Sequence, residues 1–319
     1  MTKKDFKIVF MGTPEFAVET LKLLVENNYN IVGVVTMPDK PAGRGHKIQE
    51  SDVKKYAVSQ NLLVLQPEKL RDADFINKLE SLQADLNIVV AFRMLPEVVW
   101  NMPKHGTYNL HGSLLPQYRG AAPINWAIIN GETETGVTTF KLVHEIDSGK
   151  IAYQSRIKIG DRDNAGIIHD RLMEVGAKLV LKTVDAIIDG SIILQSQQTD
   201  TESLKPAPKI FKETCRINWN SKSEEIDSFI RGLSPHPAAH TTLERVDETF
   251  NIKVFEALPV LQEHTLSYGM IVQPDSSTLY VAVANGFVKI LELQVQGRKR
   301  MKISDFLNGF TFKESDIFK

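Results

Sequence analysis

The sequence predicts an α/β protein in two parts, a doubly wound, mostly parallel sheet followed by a small antiparallel β-barrel or sandwich. Three observations carry that expectation. Short apolar runs alternate with helical patterns through the first 190 residues. A polar, proline-bearing stretch, SIILQSQQTDTESLKPAPK, covers 191–209. Beyond it come several short β-like runs separated by turn residues. The expected organisation is therefore 1–190, a linker at 191–209, and 210–319.

The elements follow in order. Residues 7–12 (KIVFMG) form a buried run ending in glycine, as a strand entering a turn does. Residues 16–28 carry Phe16, Ala17, Leu21, Leu24 and Val25 at helical spacing. IVGVVT at 31–36 reads as a second buried strand, so the first thirty-odd residues make a βαβ unit. LNIVVAF (86–92) gives a third strand and 107–111 a fourth. A strand-like run at 136–142 and a long amphipathic helix at 164–188 complete this part. In the second part a short helix is expected at 222–231, then strands at 252–258, 269–273, 279–284 and 287–295.

Composition narrows the function. With 42% hydrophobic and 24% charged residues among 319, the chain has the makings of a real core. A net charge of -1 supplies no global basic field, so any nucleic-acid contact must come from local patches. Cys215 is the lone cysteine and excludes an internal disulfide. The N-terminal apolar run is too short for a signal peptide, and no stretch has the length to span a bilayer. A cytoplasmic protein with no membrane partner is the expectation.

The first turn, Met11-Gly12-Thr13-Pro14-Glu15-Phe16, holds one glycine where a dinucleotide fingerprint needs three, and Pro14 removes an amide donor. A nicotinamide enzyme loses its main support there. Neither a GxxxxGK[ST] loop, an HExxH zinc motif nor a GxSxG elbow occurs, so no metal is expected.

The segment richest in chemistry is Asn109-Leu110-His111-Gly112-Ser113-Leu114-Leu115-Pro116. Two residues apart in a strand, Asn109 and His111 project from one face, near the C-terminal end where open parallel sheets bind ligands. An amide donor beside an imidazole suits acyl transfer, one holding an oxyanion and the other managing a proton. His111 reads equally as a hydrogen-bonded histidine closing a strand. Asp147, in VHEIDSG, offers a carboxylate on a strand-terminal loop, although Asp-Ser-Gly is also an ordinary turn. Lys40, Arg44 and Lys47 form a glycine-bearing basic arm suited to phosphates, and Arg298, Lys299 and Arg300 a second cluster. Solvated surface charge is the alternative for both.

The run NLHGSLLPQYRGAAPINWAI (109–128), with MGTPEFA (11–17), PDKPAGRG (38–45) and QGRKRM (296–301), resembles the 10-formyltetrahydrofolate-dependent formyltransferases, and across both parts the methionyl-tRNA formyltransferase family. The resemblance implies a Rossmann-like formyltransferase part and an OB-like tRNA-binding barrel. It implies Asn109, His111 and Asp147 as catalytic positions. Ser113, Leu114, Leu115 and Pro116 match the folate segment, with Phe92 and Met94 on the pterin wall. Lys40, Arg44 and Lys47, and then Arg298, Lys299 and Arg300, fall where the family meets tRNA. The implied co-substrate is 10-formyltetrahydrofolate, the acceptor initiator methionyl-tRNA, and the protein a monomer. Two positions depart from the pattern. Phe92-Arg93-Met94 stands where many relatives carry tyrosine and glycine, and Gly112 where they often carry alanine. The rival readings are a folate-dependent formyltransferase acting on a small amine, and a non-catalytic tRNA-binding protein.

Overall fold

In a computed structural model, which describes residues 2–42, 47–197, 203–245, 248–313 and 315–319, the apolar runs of the first part become adjacent strands of one sheet. In chain order they are β1 (Lys7–Gly12), α1 (Glu15–Glu26), β2 (Asn30–Val35), the short pair β3 (Lys40–Ala42) and β4 (Lys47–Gln49), α2 (Asp52–Ser59), β5 (Val64–Leu65), α3 (Ala73–Ser81), β6 (Leu86–Val90), α4 (Glu97–Trp100) and β7 (Thr107–His111). Then follow α5 (Pro123–Ile129), β8 (Glu134–Lys141), β9 (Ile151–Lys158) and α6 (Ala165–Ile188). The sheet order is β5-β2-β1-β6-β7-β8-β9. The first five of these strands pair in parallel, and β8 runs antiparallel to β7.

Both faces of the sheet are covered, which is why β1 and β6 at its centre are mostly apolar on both faces. Val9 and Met11 of β1 and Val89 of β6 share a buried cluster with Phe75 and Leu79 of α3. On the other face lies α6. A Cβ added at Gly176 would come 2.7 Å from Leu110 Cδ2, and the Thr139 and Thr183 hydroxyls lie 2.7 Å apart. Leu110 pairs with Thr139, so both point at α6. Asn109, paired with Val89, and His111 therefore point the opposite way.

The loop expected around Lys40 and Lys47 has antiparallel pairing at its base, with Lys40 opposite Gln49 and Ala42 opposite Lys47. Lys54 pins that base to Asp39 and to Glu50, the latter at 2.8 Å, and Gln66 Nε2 donates to Asp39 at 2.7 Å. Arg44 lies outside the described residues.

The second unit holds β10 (Ala239–Arg245), β11 (Glu248–Leu261), β12 (Ile271–Val272), β13 (Leu279–Val283), β14 (Gly286–Val295), β15 (Met301–Lys302) and β16 (Ile317–Phe318), with α7 (Ser223–Leu233) and α8 (Ile303–Leu307). Its antiparallel sheet has the order β12-β13-β14-β11-β10-β16. A bridge between Met270 and Ile317 joins the two ends into a nearly closed barrel, which leaves little free edge. Helix α7 places Ile226, Ile230 and Leu233 on one stripe into the barrel core. Burying each such side chain stabilises the fold by about 2 kcal/mol.

The compact units are interleaved in sequence, where the sequence reading places a single linker. One comprises Met1–Gly120, Thr135–Ile157 and His169–Pro206, and the other Ala121–Glu134, Lys158–Ile168 and Ala207–Lys319. Nor is the start of the linker free, since Gln195 and Ile151 exchange backbone hydrogen bonds at 2.8 and 2.9 Å. No described helix is long and apolar enough to cross a membrane.

Candidate active site

His111 ends β7 with 6% of its surface exposed. Its Nε2 lies 2.8 Å from the Tyr118 carbonyl oxygen. A carbonyl only accepts, so Nε2 carries its hydrogen towards Tyr118, and Nδ1 is the ring nitrogen left for chemistry. Nδ1 faces Asp147 Oδ2 at 3.8 Å. That separation is long for a hydrogen bond. Asn109, half-buried on the same face, makes no side-chain hydrogen bond among the described residues, leaving its amide available.

Asp147 reaches His111 by an unexpected route. The sequence reading puts Asp147 on a loop at the end of a strand, and it does follow β8. Because β8 is antiparallel, however, its last residue, Lys141, sits beside Tyr108, three residues before His111 along β7. The loop after β8 must double back by about 10 Å, at roughly 3.3 Å per residue, to bring Asp147 to His111. Asp147 sits there at φ 51°, in the left-handed region. Its Oδ2 accepts the Gly120 N–H at 2.9 Å, and its carbonyl accepts Gln197 Nε2 at 2.8 Å.

The return of this loop leaves no room at Gly149, where an added Cβ would lie 1.7 Å from the Lys141 carbonyl oxygen. Gly149→Ala must displace the loop, and if Asp147 reacts, a shift of about 1 Å there lowers turnover on the order of 10²-fold. Steady-state kinetics with a melting curve check this. Wild-type turnover at wild-type stability would show that the loop does not adopt this return.

The segment 113–118 is built from within. Ser113 Oγ donates to the Gln117 carbonyl at 2.6 Å, Thr138 Oγ1 donates to the Ser113 carbonyl at 2.7 Å, and the Leu115 N–H donates to Thr138 Oγ1 at 3.1 Å. Gln154 Nε2 donates to the Leu115 carbonyl at 2.8 Å. Ser113 and Leu115 are thus buried and occupied, while Leu114 and Pro116 keep partial exposure. Met94 is 73% exposed and Phe92 packs on the cluster beneath the sheet. Arg93 stands in place between them because its guanidinium donates to the carbonyls of Pro67 and of Glu68, the latter at 2.8 Å. It braces two loops at the C-terminal edge of the sheet, and burial lowers its pKa below the usual arginine value.

Of the basic residues, Lys40 is exposed at the hairpin base. Arg298 and Lys299 are exposed after β14. Arg300 is engaged, pairing with Glu292 and lying 4.2 Å over the Phe255 ring. Among the described residues no group of three or more His, Cys, Asp or Glu side chains is placed to hold a metal ion.

Sequence reasoning missed the Tyr118 carbonyl, the Gly120 amide, Arg119 and Gln197. Backbone groups leave no trace in residue type, and Gln197 lies in a polar stretch that reads as linker. The one available signal was Gly120, whose φ of 125° requires glycine.

The comparisons with known proteins agree with one another. The family described as formyl transferase matches residues 6–184, and its C-terminal domain matches 209–311. The chain is 58% identical over 318 residues to "Methionyl-tRNA formyltransferase" of Bacteroides fragilis, covering 99% of this chain and 98% of that one. It is 50% identical over 311 residues to the protein of the same name from Flavobacterium johnsoniae, covering 98% of each. Among solved structures, a sugar 3N-formyl transferase, WlaRD, crystallised with dTDP and 5-N-formyl-THF, superposes with a TM-score of 0.64 at 20% identity over 92% of this chain and 99% of that one. At that identity the likeness concerns the fold.

Proposed function

The chain belongs to the methionyl-tRNA formyltransferases of the formyl transferase family, and from that premise we propose that Asn109, His111 and Asp147 perform formyl transfer from 10-formyltetrahydrofolate to methionine on initiator tRNA. The observation that carries this assignment is the convergence of His111 Nδ1 and Asp147 Oδ2 at 3.8 Å beside the unpartnered Asn109 amide.

These residues suit direct attack by the amine. The Asn109 amide donates to the formyl oxygen as negative charge grows there, and His111, protonated on Nδ1, supplies a second donor. Asp147 accepts the proton that the amine sheds as the new N–C bond forms. When the C–N bond to folate breaks, an imidazolium N–H provides the proton for the leaving nitrogen. No covalent bond to the protein is needed, and the Ser113 hydroxyl nearby is engaged with the Gln117 carbonyl.

Folate fits what lines this edge. Exposed Met94 and half-buried Phe92 offer apolar surface for a pterin ring, and Leu114 and Pro116 continue it. Ser113 and Leu115 contribute by shaping the loop. For the tRNA, Arg298 and Lys299 on the second unit and Lys40, Arg44 and Lys47 on the first are the candidate phosphate contacts, with Arg300 holding the strand pair beneath.

The test is incubation of the purified protein with 10-formyltetrahydrofolate and methionyl-initiator tRNA, with methionyl-elongator tRNA in parallel. Formylmethionine on the initiator alone is expected. Folate binding without transfer to either tRNA would instead favour a small-molecule amine acceptor.

A further inference from the structure

We propose that Gln197, held by Arg119, is a positioning residue that keeps Asp147 folded back against His111. The inference rests on the reading of Asp147 and His111 as catalytic. Gln197 lies outside the signature run, 50 residues beyond Asp147, at the start of the stretch that reads as linker, yet it is only 8% exposed.

Its side-chain amide is fully used. Nε2 donates to the carbonyls of Asp147 and Gly149, each at 2.8 Å. Oε1 accepts Arg119 Nε at 3.1 Å and Nη2 at 2.5 Å. The partners dictate this orientation, because a guanidinium only donates and a carbonyl only accepts. One side chain thus grips the doubled-back loop at two points around Ser148, and Arg119 holds the gripping amide in place.

The neighbours of Arg119 complete the arrangement. The Tyr118 carbonyl takes the His111 Nε2 hydrogen, and the Gly120 N–H meets the Asp147 carboxylate. Three consecutive residues therefore address the imidazole, the Gln197 amide and the carboxylate in turn. Any movement of Gln197 acts on Asp147, whereas the imidazole keeps its separate anchor. This division makes the loop carrying Asp147 the part that depends on a residue so far along the chain.

The isosteric variant Gln197→Glu isolates the role. It keeps the side chain's shape and the Arg119 contact, but turns a carboxylate oxygen towards two carbonyl oxygens that it cannot satisfy. Turnover is expected to fall on the order of 10²-fold, as for misplacement of a reacting group by about 1 Å, with KM for folate and tRNA little changed even though the unsatisfied carboxylate lowers the melting temperature. Gln197→Ala is expected to lose as much, and to lose almost nothing further when added to Asp147→Asn, because the two act as one unit. Wild-type turnover in Gln197→Glu and Gln197→Ala beside an inactive Asp147→Asn would overturn the proposal and spare the catalytic reading. Additive losses in the double variant, or kcat, KM and melting failing together in both single variants, would also overturn it. Wild-type turnover in Asp147→Asn would instead remove the catalytic reading itself.

Discussion

His111→Ala is expected to lower kcat for initiator formylation by on the order of 10³-fold. In the proposed mechanism the substitution removes a hydrogen-bond donor to the developing oxyanion, which by itself typically costs about 10²-fold or more. It also removes the group that passes a proton to the leaving nitrogen. Together they correspond to roughly 4 kcal/mol of transition-state stabilisation. KM should move little, since the lost interactions form only as charge develops. The fold should survive, because β7 is held by its pairing with β6 and β8 on either side. Single-turnover kinetics with pre-bound folate give the chemical step directly. A rate within a few-fold of wild type would mean that the imidazole is merely a buried strand-end histidine.

The second large effect is on stability, in the barrel. The Asp316 side chain is fully buried and meets Arg245, with Nε at 3.0 Å from Oδ1 and Nη2 at 2.6 Å from Oδ2. The Lys313 N–H adds a further hydrogen bond to Asp316 at 2.9 Å, and Arg245 also reaches the Thr311 carbonyl and lies 4.9 Å over the Phe310 ring. This ion pair fastens the last residues to the end of β10, next to the strand that closes the barrel. Asp316→Ala leaves a largely buried guanidinium without its counter-charge, a change that costs about 3 kcal/mol or more. Urea unfolding followed by the fluorescence of Trp219, buried in the barrel core, measures it.

The pH dependence follows from the same contacts. Burial alone would raise the Asp316 pKa, but the Arg245 contacts and the Lys313 N–H outweigh it and hold the carboxyl below its ordinary value. A carboxyl held low in the folded state contributes stability that is fully present above its unfolded pKa of about 3.9 and is lost as pH falls through the lower folded value. The stability gap between wild type and Asp316→Asn should therefore stay constant near neutrality and shrink below about pH 4. A gap that does not change with pH would show that charge at Asp316 contributes nothing.

The sequence discloses what depends on side-chain pattern. β1, β2 and β6 are mostly apolar runs and appear where the pattern puts them, as does β7, where Tyr108 and Leu110 alternate with Thr107, Asn109 and His111. The common face of Asn109 and His111 follows from strand alternation. β9, at the sheet edge with Gln154, Arg156 and Lys158 exposed, lacks the continuous apolar run by which the buried strands show. β5, two residues long, and the short α2 and α3 offer too few positions for a period to show. At the site the same division holds. Residue type points to the imidazole and the carboxylate, but their meeting depends on β8 reversing direction, on a left-handed Asp147, and on Gln197. Each is a property of chain path, and none leaves a periodic mark.

The doubled-back loop also fixes when the site can come into being. A polypeptide is made from its N-terminus, so Asn109, His111 and Asp147 leave the ribosome while the residue that grips the loop is still unsynthesised. A nascent chain ending just past β9 already contains the three proposed catalytic groups, but Asp147 is held back only by the Gly120 amide and the Lys141–Lys150 backbone bond, without the side-chain grip. Gln197 arrives after the whole of α6 has been added, and Lys205, whose carbonyl accepts the Tyr118 N–H, comes later still. An enzyme whose work supplies the first residue of new proteins is itself incomplete until roughly two-thirds of its own chain has been translated, and truncation at the end of α6 would yield a catalytic half with its carboxylate unsecured.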